Sequence, residues 1–464
     1  MRSPTATVLA WIVIVSCAAA HRPLRAQAPA PIDAAERRTV VEQIGTLLKD
    51  NYVFPDVAQK SADHLASKLT AGEFNSLTDA TAFAERLTKE LQSINHDKHM
   101  RVRLVPAQQR MQRPDPGAAR AQALREMRSG NFGFQRVERL EGNIGYLDLR
   151  GFAPVELARP TAVAAMQMLA NSDAVIIDVR HNGGGSPDMV QLVSSYLFDK
   201  RVHLNSLYWR AGDRTQEFWT LEDVPGSRIN TAPVFVLTSG RTFSAGEEFT
   251  YNLQTQKRAT IIGETTGGGA NPGGTFRINE RFMIFVPTGR AINPVTRTNW
   301  EGVGVKPDIA IKADVALDTA LVLARAAAQG HRSASESAEK SSRDALAQGL
   351  ASATTLLQKQ PAEAERAIAA ALQKGIAAGI LDEGTINALG YEYLGQQKND
   401  VAIAVFEFNV QTFPASSNVW DSLGEAYMNA GQRELAITNY RKSLELNPNN
   451  QNAVAMLQKL QQPQ

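Results

Sequence analysis

The segment 233-PVFVLTSGRTFSAGEEF-249 decides how this chain folds. Val234–Leu237 form an apolar run of the length and residue type of a buried strand. Gly240 permits a tight turn, and Ser244 then opens a stretch that reads as a helix. A serine at such a junction admits two readings. As an N-cap, Ser244 would pair with Glu247 three residues on in a capping box. As a nucleophile, it would stand where helix N-terminal amides gather, with the Ala245 N–H placed to donate to a developing oxyanion. This stretch alone leaves both open.

A second strand-to-helix junction lies upstream. The apolar strand 174-AVIIDVR-180 runs into 181-HNGGGSP-187 and then a helical segment. Gly183, Gly184 and Gly185 would let backbone amides face a ligand without side-chain obstruction. The lysine of a G-x-x-x-x-G-K phosphate loop is missing. Further strands are predicted at 143–152, 259–265, 281–289 and 307–311, with helical stretches at 157–170 and 188–198. Apolar strands separated by helices predict an α/β core over residues 95–329.

Before that core, 37–54, 56–72 and 79–94 carry apolar residues at three- to four-residue spacing, which predicts a three-helix bundle over 32–94. The run 95-NHDKHMRVRLVP-106 then turns toward strand character, and 107–130 reads as a polar connector with a short helix. After the core, 330-GHRSASESAEKSSRDA-345 is Ser-rich and mixed in charge, the composition of a linker. Beyond it the chain is helical and repeats. Leu389, Gly390 and Tyr393 recur 34 residues later as Leu423, Gly424 and Tyr427, and Phe406 recurs as Tyr440. That period predicts two tetratricopeptide repeats, at about 385–418 and 419–452, with 343–380 as their packing partner, because two repeats alone bury little. Such repeats suggest a protein-binding surface.

A length of 464 residues fits about three domains. The formal net charge is +2, and residues 1–28 contribute Arg2, Arg22 and Arg25 with no acid. There is no electrostatic case for nucleic acid or an anionic membrane surface. Arg2, the apolar run Val8–Val15 and the small residues after it read as a secretory signal, too short to span a bilayer. Cleavage fits after Ala20 or Ala28. Alternatively, Ile14-Val15-Ser16-Cys17 resembles a bacterial lipoprotein box, which would leave Cys17 as a lipidated first residue and the one route to a membrane. Either way the expected location is outside the cytoplasm, periplasmic or secreted. Cys17 is the only cysteine, so a chain cut after residue 20 has no thiol, disulfide or cysteine metal site.

Five blocks in order carry a family resemblance: N-Y-V-F-P-D-V-A (51–58), D-K-H-M-R-V (97–102), D-V-R-H-N-G-G-G (178–185), T-F-S-A-G-E-E-F (242–249) with G-E-T-T-G-G-G-A (263–270), and E-G-V-G-V-K-P-D (301–308). Over residues 35–325 the chain resembles the tail-specific (C-terminal-processing) serine proteases, in the branch of tricorn core protease and interphotoreceptor retinoid-binding protein. The resemblance implies a ClpP/crotonase-like α/β core and cleavage of peptides or unstructured segments through an acyl-enzyme. It implies no metal or organic cofactor. The nucleophile falls on Ser244, and the oxyanion donors on the N–H of Ala245 and an N–H within Gly183–Gly185. Tail-specific enzymes use a lysine base, but Gly269 stands at its place here. The tricorn-like branch instead implies His99 as base and Glu301 as its supporting carboxylate. In that branch the glutamate acts through a serine beside the histidine. Lys98 stands there in this chain, so Glu301 would reach His99 directly, through another hydroxyl or through water.

Several rival readings remain. His181 is a second candidate base. His99 with His96 and Asp97 could ligate a metal, though no third-ligand motif stands out. Glu247 and Glu248 read as helix N-terminal charges. The stretch between residues 106 and 143 leaves no room for the PDZ domain of many tail-specific proteases. The branch also includes members that bind hydrophobic ligands without cutting peptides, so a non-catalytic binding module stays open, as does a small-molecule esterase or amidase. Retention of Ser244, a candidate base and both oxyanion segments favours the peptidase.

Overall fold

A computed structural model describes residues 31–105, 116–357 and 359–462. The expected signal segment, with Ala20, Ala28 and Cys17, lies outside the described residues. So does 107–115 of the expected connector.

Three helices come first: α1 (Ala34–Asn51), α2 (Pro55–Thr70) and α3 (Ala80–Asn95). Asp33 and Asp79 cap α1 and α3 by accepting the Glu36 and Ala82 amides. Strand β1 (Arg101–Leu104) and helix α4 (Pro116–Ser129) follow. The core then runs β2 (Phe134–Leu140), β3 (Ile144–Leu149), α5 (Val155–Leu169), β4 (Ala174–Asp178), α6 (Pro187–Ser195), β5 (His203–Trp209), β6 (Arg214–Trp219), β7 (Val234–Thr238), α7 (Ala245–Thr255) and β8 (Ala259–Gly263). Strands β9 (Gly273–Arg277), β10 (Phe282–Pro287), β11 (Gly289–Ile292) and β12 (Ile309–Ala310) complete it before the long helix α8 (Ala316–Leu356).

The main sheet has the order β12-β8-β7-β4-β3-β2, parallel except for the antiparallel edge strand β2. Strands β4 and β7 are adjacent, with Val175 opposite Val234 and Asp178 opposite Leu237. Their side chains alternate between two cores, as period-2 geometry requires. Val175, Ile177, Val234 and Val236 pack under α5, α6 and α7. Ala174, Ile176, Phe235 and Leu237 meet the stripe Ala316, Ala320, Ala324 and Ala328 of α8, whose small side chains at i, i+4 spacing let the helix approach closely. A parallel strand buried on both faces must be apolar throughout, which is why these runs were legible.

The N-terminal helices do not close on themselves. Val40, Ile44, Leu48, Phe83 and Leu87 share one core with Met100, Val102, Phe282, Ile284 and Val286. The expected bundle is therefore fused to the small antiparallel sheet β1-β10-β9, and the segment between α3 and β1 is held between them.

The expected linker at 330–345 is helical, the middle of the 41-residue α8. It contains no proline, and Ala, Glu, Lys and Arg outweigh its serines in helix preference. Lys340–Asp344 and Arg343–Glu339 add i,i+4 ion pairs. Residues 332–341 are exposed on all sides, which is why their composition resembled a coil. Six helices follow: α9 (Pro361–Ala377), α10 (Glu383–Gly395), α11 (Asn399–Thr412), α12 (Ser417–Asn429), α13 (Arg433–Leu446) and α14 (Gln451–Gln461). The pairs α10/α11 and α12/α13 are the two helical hairpins of the repeat. Leu350 and Ala353 at the end of α8 pack with α9 against the first hairpin.

Candidate active site

The loops that carry the candidate chemistry leave the C-terminal ends of β4 and β7, the edge where parallel α/β sheets bind ligands. They are tied together. The Phe243 N–H donates to the Asn182 carbonyl at 3.0 Å, and the Thr242 hydroxyl donates to Val179 O at 2.8 Å. The glycine run thus lies beside the serine turn.

Ser244 has φ 53° and ψ −121°, a conformation that costs a non-glycine residue about 1–3 kcal/mol and is found mainly where function holds it. Ser244 and Glu247 form the expected capping box, and the Glu247 N–H also reaches the Ser244 carbonyl at 2.9 Å. The Ser244 N–H donates to Glu247 Oε2 at 2.9 Å. Ser244 is thus a helix N-cap and a strained turn residue at once. Among the described residues the Ala245 N–H has no acceptor.

The three glycines differ. Gly184, at φ +106°, packs so tightly on the turn that a Cβ there would lie 2.7 Å from Ser244 Cβ and 3.1 Å from the Ala245 nitrogen. Its N–H is committed to Asn182 Oδ1 at 2.9 Å, which removes it from the expected oxyanion donors. Gly185 sits in a β-bridge with Phe152. Gly183 lines the same cavity, of about 410 Å³, as His99, Phe243 and Phe285. Among the described residues its N–H has no acceptor, and neither does that of Gly185, whose bridge uses Gly184 O and Ser186 N.

His99 lies between two rings, 4.7 Å from Phe243 and 5.6 Å from Phe285 between centroids. Its Nδ1 is buried without a partner. Among the described residues no hydrogen bond joins His99 to Ser244. Burial first, and the nearby Arg101 charge second, lower its pKa to about 4, so the ring is a neutral base at pH 7. Gly269, where the lysine was missing, has a clear role: a Cβ there would fall 2.7 Å from His99 Cε1 and 2.3 Å from Phe243 Cζ. The position that lacks the lysine is the one that makes room for the histidine.

Two glutamates clamp the loop 266–271 from opposite sides. Glu247, fully buried, accepts from the Ser244, Gly268 and Gly269 amides and from the Thr266 hydroxyl, at 2.5–2.9 Å. Burial pushes its carboxyl up to about 7, against the pull of these hydrogen bonds. Glu301 accepts from Lys98 N at 3.0 Å, Ala270 N at 2.5 Å and Asn271 N at 3.0 Å. It lies near His99 but makes no hydrogen bond to it, so the expected direct contact is absent. It holds the backbone of the histidine turn instead. Buried Asp97 accepts from the His99 N–H at 3.1 Å, from Asn271 Nδ2 at 2.8 Å and from the Tyr52 hydroxyl at 3.3 Å. Burial, then the charge of Glu301, push Asp97 up to about 7.

Ligand atoms of Asp97, His99 and Glu301 lie within 4.8 Å of one another, the closeness of a three-ligand cation site. Both carboxylates, however, are already occupied by N–H and O–H donors, a poor match to a cation. His181 is exposed and His96 caps α3 at φ 54°. Glu248 is buried facing Asn205 of β5 and the charge of Asp188 on α6, and burial pushes it up to about 7. Sequence reasoning anticipated the capping box of Glu247 with Ser244 but missed its hold on the loop 266–269 and the roles of Asp97, Tyr52 and Asn271. The S-A-x-E spacing was a usable signal for Glu247, and nothing local marked the others.

Residues 143–311 match the model of peptidase family S41, residues 34–131 that of the N-terminal domain of peptidase S41 in eukaryotic IRBP, and residues 417–450 a tetratricopeptide repeat. The chain is 26% identical over 178 residues to a carboxy-terminal-processing protease of Bartonella bacilliformis, covering 38% of this chain and 40% of that protein. It is 25% identical over 184 residues to the chloroplastic carboxyl-terminal-processing peptidase 1 of Arabidopsis thaliana, covering 38% and 35%. The chain thus spans two fifths or less of these relatives' lengths. A solved photosystem II D1 C-terminal processing protease superposes with TM-score 0.38 at 16% identity, covering 61% of this chain and 94% of that one.

Proposed function

We propose that this chain, which carries a peptidase family S41 domain, an S41 N-terminal domain and a C-terminal tetratricopeptide repeat, is an exported serine-type peptidase acting through Ser244. The observation that carries this is the strained Ser244 turn, packed against the glycine run and followed by the unengaged Ala245 amide. His99 would take the hydroxyl proton as Ser244 Oγ bonds to the scissile carbonyl carbon. Negative charge moves to the carbonyl oxygen, where the N–H of Ala245 and one from the glycine run receive it. As the C–N bond breaks, the imidazolium returns the proton to the leaving amine. His99 then activates water, and hydrolysis of the ester frees Ser244.

The nearby carboxylates of Asp97 and Glu301 would stabilise the transient imidazolium, while Glu301 positions the turn. Export rests on the N-terminal sequence alone, with lipidation at Cys17 its variant. The repeats would bring a protein or peptide to the core. Digestion of an unstructured peptide mixture by the full mature chain, read by mass spectrometry, tests the reading. New termini that vanish in Ser244→Ala and His99→Ala are expected. Cleavage that persists in folded Ser244→Ala would overturn it.

A further inference from the structure

The cavity beside Ser244 has a chemistry that catalysis does not require. Besides His99 and Gly183 it is lined by Lys98, Arg101, Arg103 and Arg241, and by no carboxylate side chain. All four cations are exposed. Arg101 Nε reaches only the Lys98 carbonyl, at 3.3 Å. Among the described residues none of the four forms an ion pair. Some core arginines are matched, Arg150 with Asp148, Arg180 with Asp178 and Arg281 with Glu36; what sets these four apart is that they gather at one cavity.

The placement follows from the fold. On β1 the pattern is exposed, buried, exposed, so Val102 enters the core while Arg101 and Arg103 share the opposite face. Arg241 arrives from the serine turn across the cavity. In a chain of net charge +2, Lys98, Arg101 and Arg103, with Arg241 partly offset by Glu264, focus around one concave mouth a positive field that the molecule as a whole lacks.

Resting on the peptidase reading above, we propose that this cavity selects peptides carrying carboxylates within a few residues of the scissile bond, with Arg101 and Arg103 as the main recognition pair. The carboxylate in question is that of an Asp or Glu side chain. Desolvation of a bound carboxylate against guanidinium groups gives charge-assisted, two-pronged hydrogen bonds that a neutral amide cannot match.

Binding is measured separately from turnover. Ser244→Ala is titrated with fluorescent peptides that differ only as Glu against Gln near the centre, each with a free or amidated C-terminus. The expected result is roughly tenfold tighter binding of the Glu peptides at low salt, with most of the difference lost near 1 M salt. Arg101→Gln/Arg103→Gln in the same background, its fold checked by thermal melting, should erase the difference. A preference that follows the free C-terminus and ignores Glu overturns the proposal. Equal affinity for all four peptides overturns the proposal, whatever the turnover. Acid-selective binding with no cleavage of any peptide by wild type would sustain it and sink the peptidase reading.

Discussion

The Ser244 turn and the His99 turn are built alike and held differently. Each is pinned to the loop 266–271 by a glutamate that accepts backbone amides. For serine the pin is three residues away, fully buried, and makes four hydrogen bonds. For histidine the pin is Glu301, 203 positions from Lys98 and partly exposed. The proposed nucleophile is thus set by local backbone and the proposed base by tertiary contacts. Such a site should lose its base geometry before its nucleophile geometry.

The largest expected effect would break the comparison outright. Ser244→Ala and His99→Ala should each lower kcat/KM by roughly 10⁴-fold or more, and the double variant no further, since the two act as one unit. Additive losses would mean that the two turns do not meet in catalysis. Next comes Gly269→Ala. Its Cβ must displace Phe243 or His99, so a loss of about tenfold to a hundredfold is expected, with Ser244 still labelled by a fluorophosphonate.

The glutamates should then separate the two turns. Glu247→Gln leaves buried donors facing an amide and should cost about 1–3 kcal/mol of unfolding free energy in denaturant titrations. Glu301→Gln should lower kcat roughly tenfold while barely moving the melting midpoint. Equal stability losses would show that both pins bear on the fold alike.

The smallest effect concerns pH. Burial disfavours the imidazolium, so His99 should stay competent below its ordinary pKa of 6.5. The acid limb of kcat/KM should be centred near 4, well below 6.5. Between those two values the unfolded chain takes the proton first, so His99 contributes stability that is lost as pH falls. His99→Gln should flatten that part of the stability profile.

What was legible in the sequence follows the same division. Strands β4 and β7, the glycine run and the serine turn announce themselves through short-range rules, as does the 34-residue repeat. Tyr52, Asp97 and Asn271 were not legible as a network, because 45 and 174 positions separate the bonded pairs. The N-terminal helices looked self-contained because their partner strand lies near residue 284. Residues 330–345 misled through composition, since an exposed helix needs no apolar stripe to mark it.

That helix has a geometric consequence. A single rod of 41 residues, about 60 Å long at 1.5 Å per residue, joins the core to the repeats. Residue count along its exposed middle therefore sets an azimuth. One inserted residue would swing the repeats about 100° around the rod, whereas seven would bring them back to within about 20° of their original facing and carry them about 10 Å outward. The rod works as a dial as well as a spacer, and its settings are counted in residues.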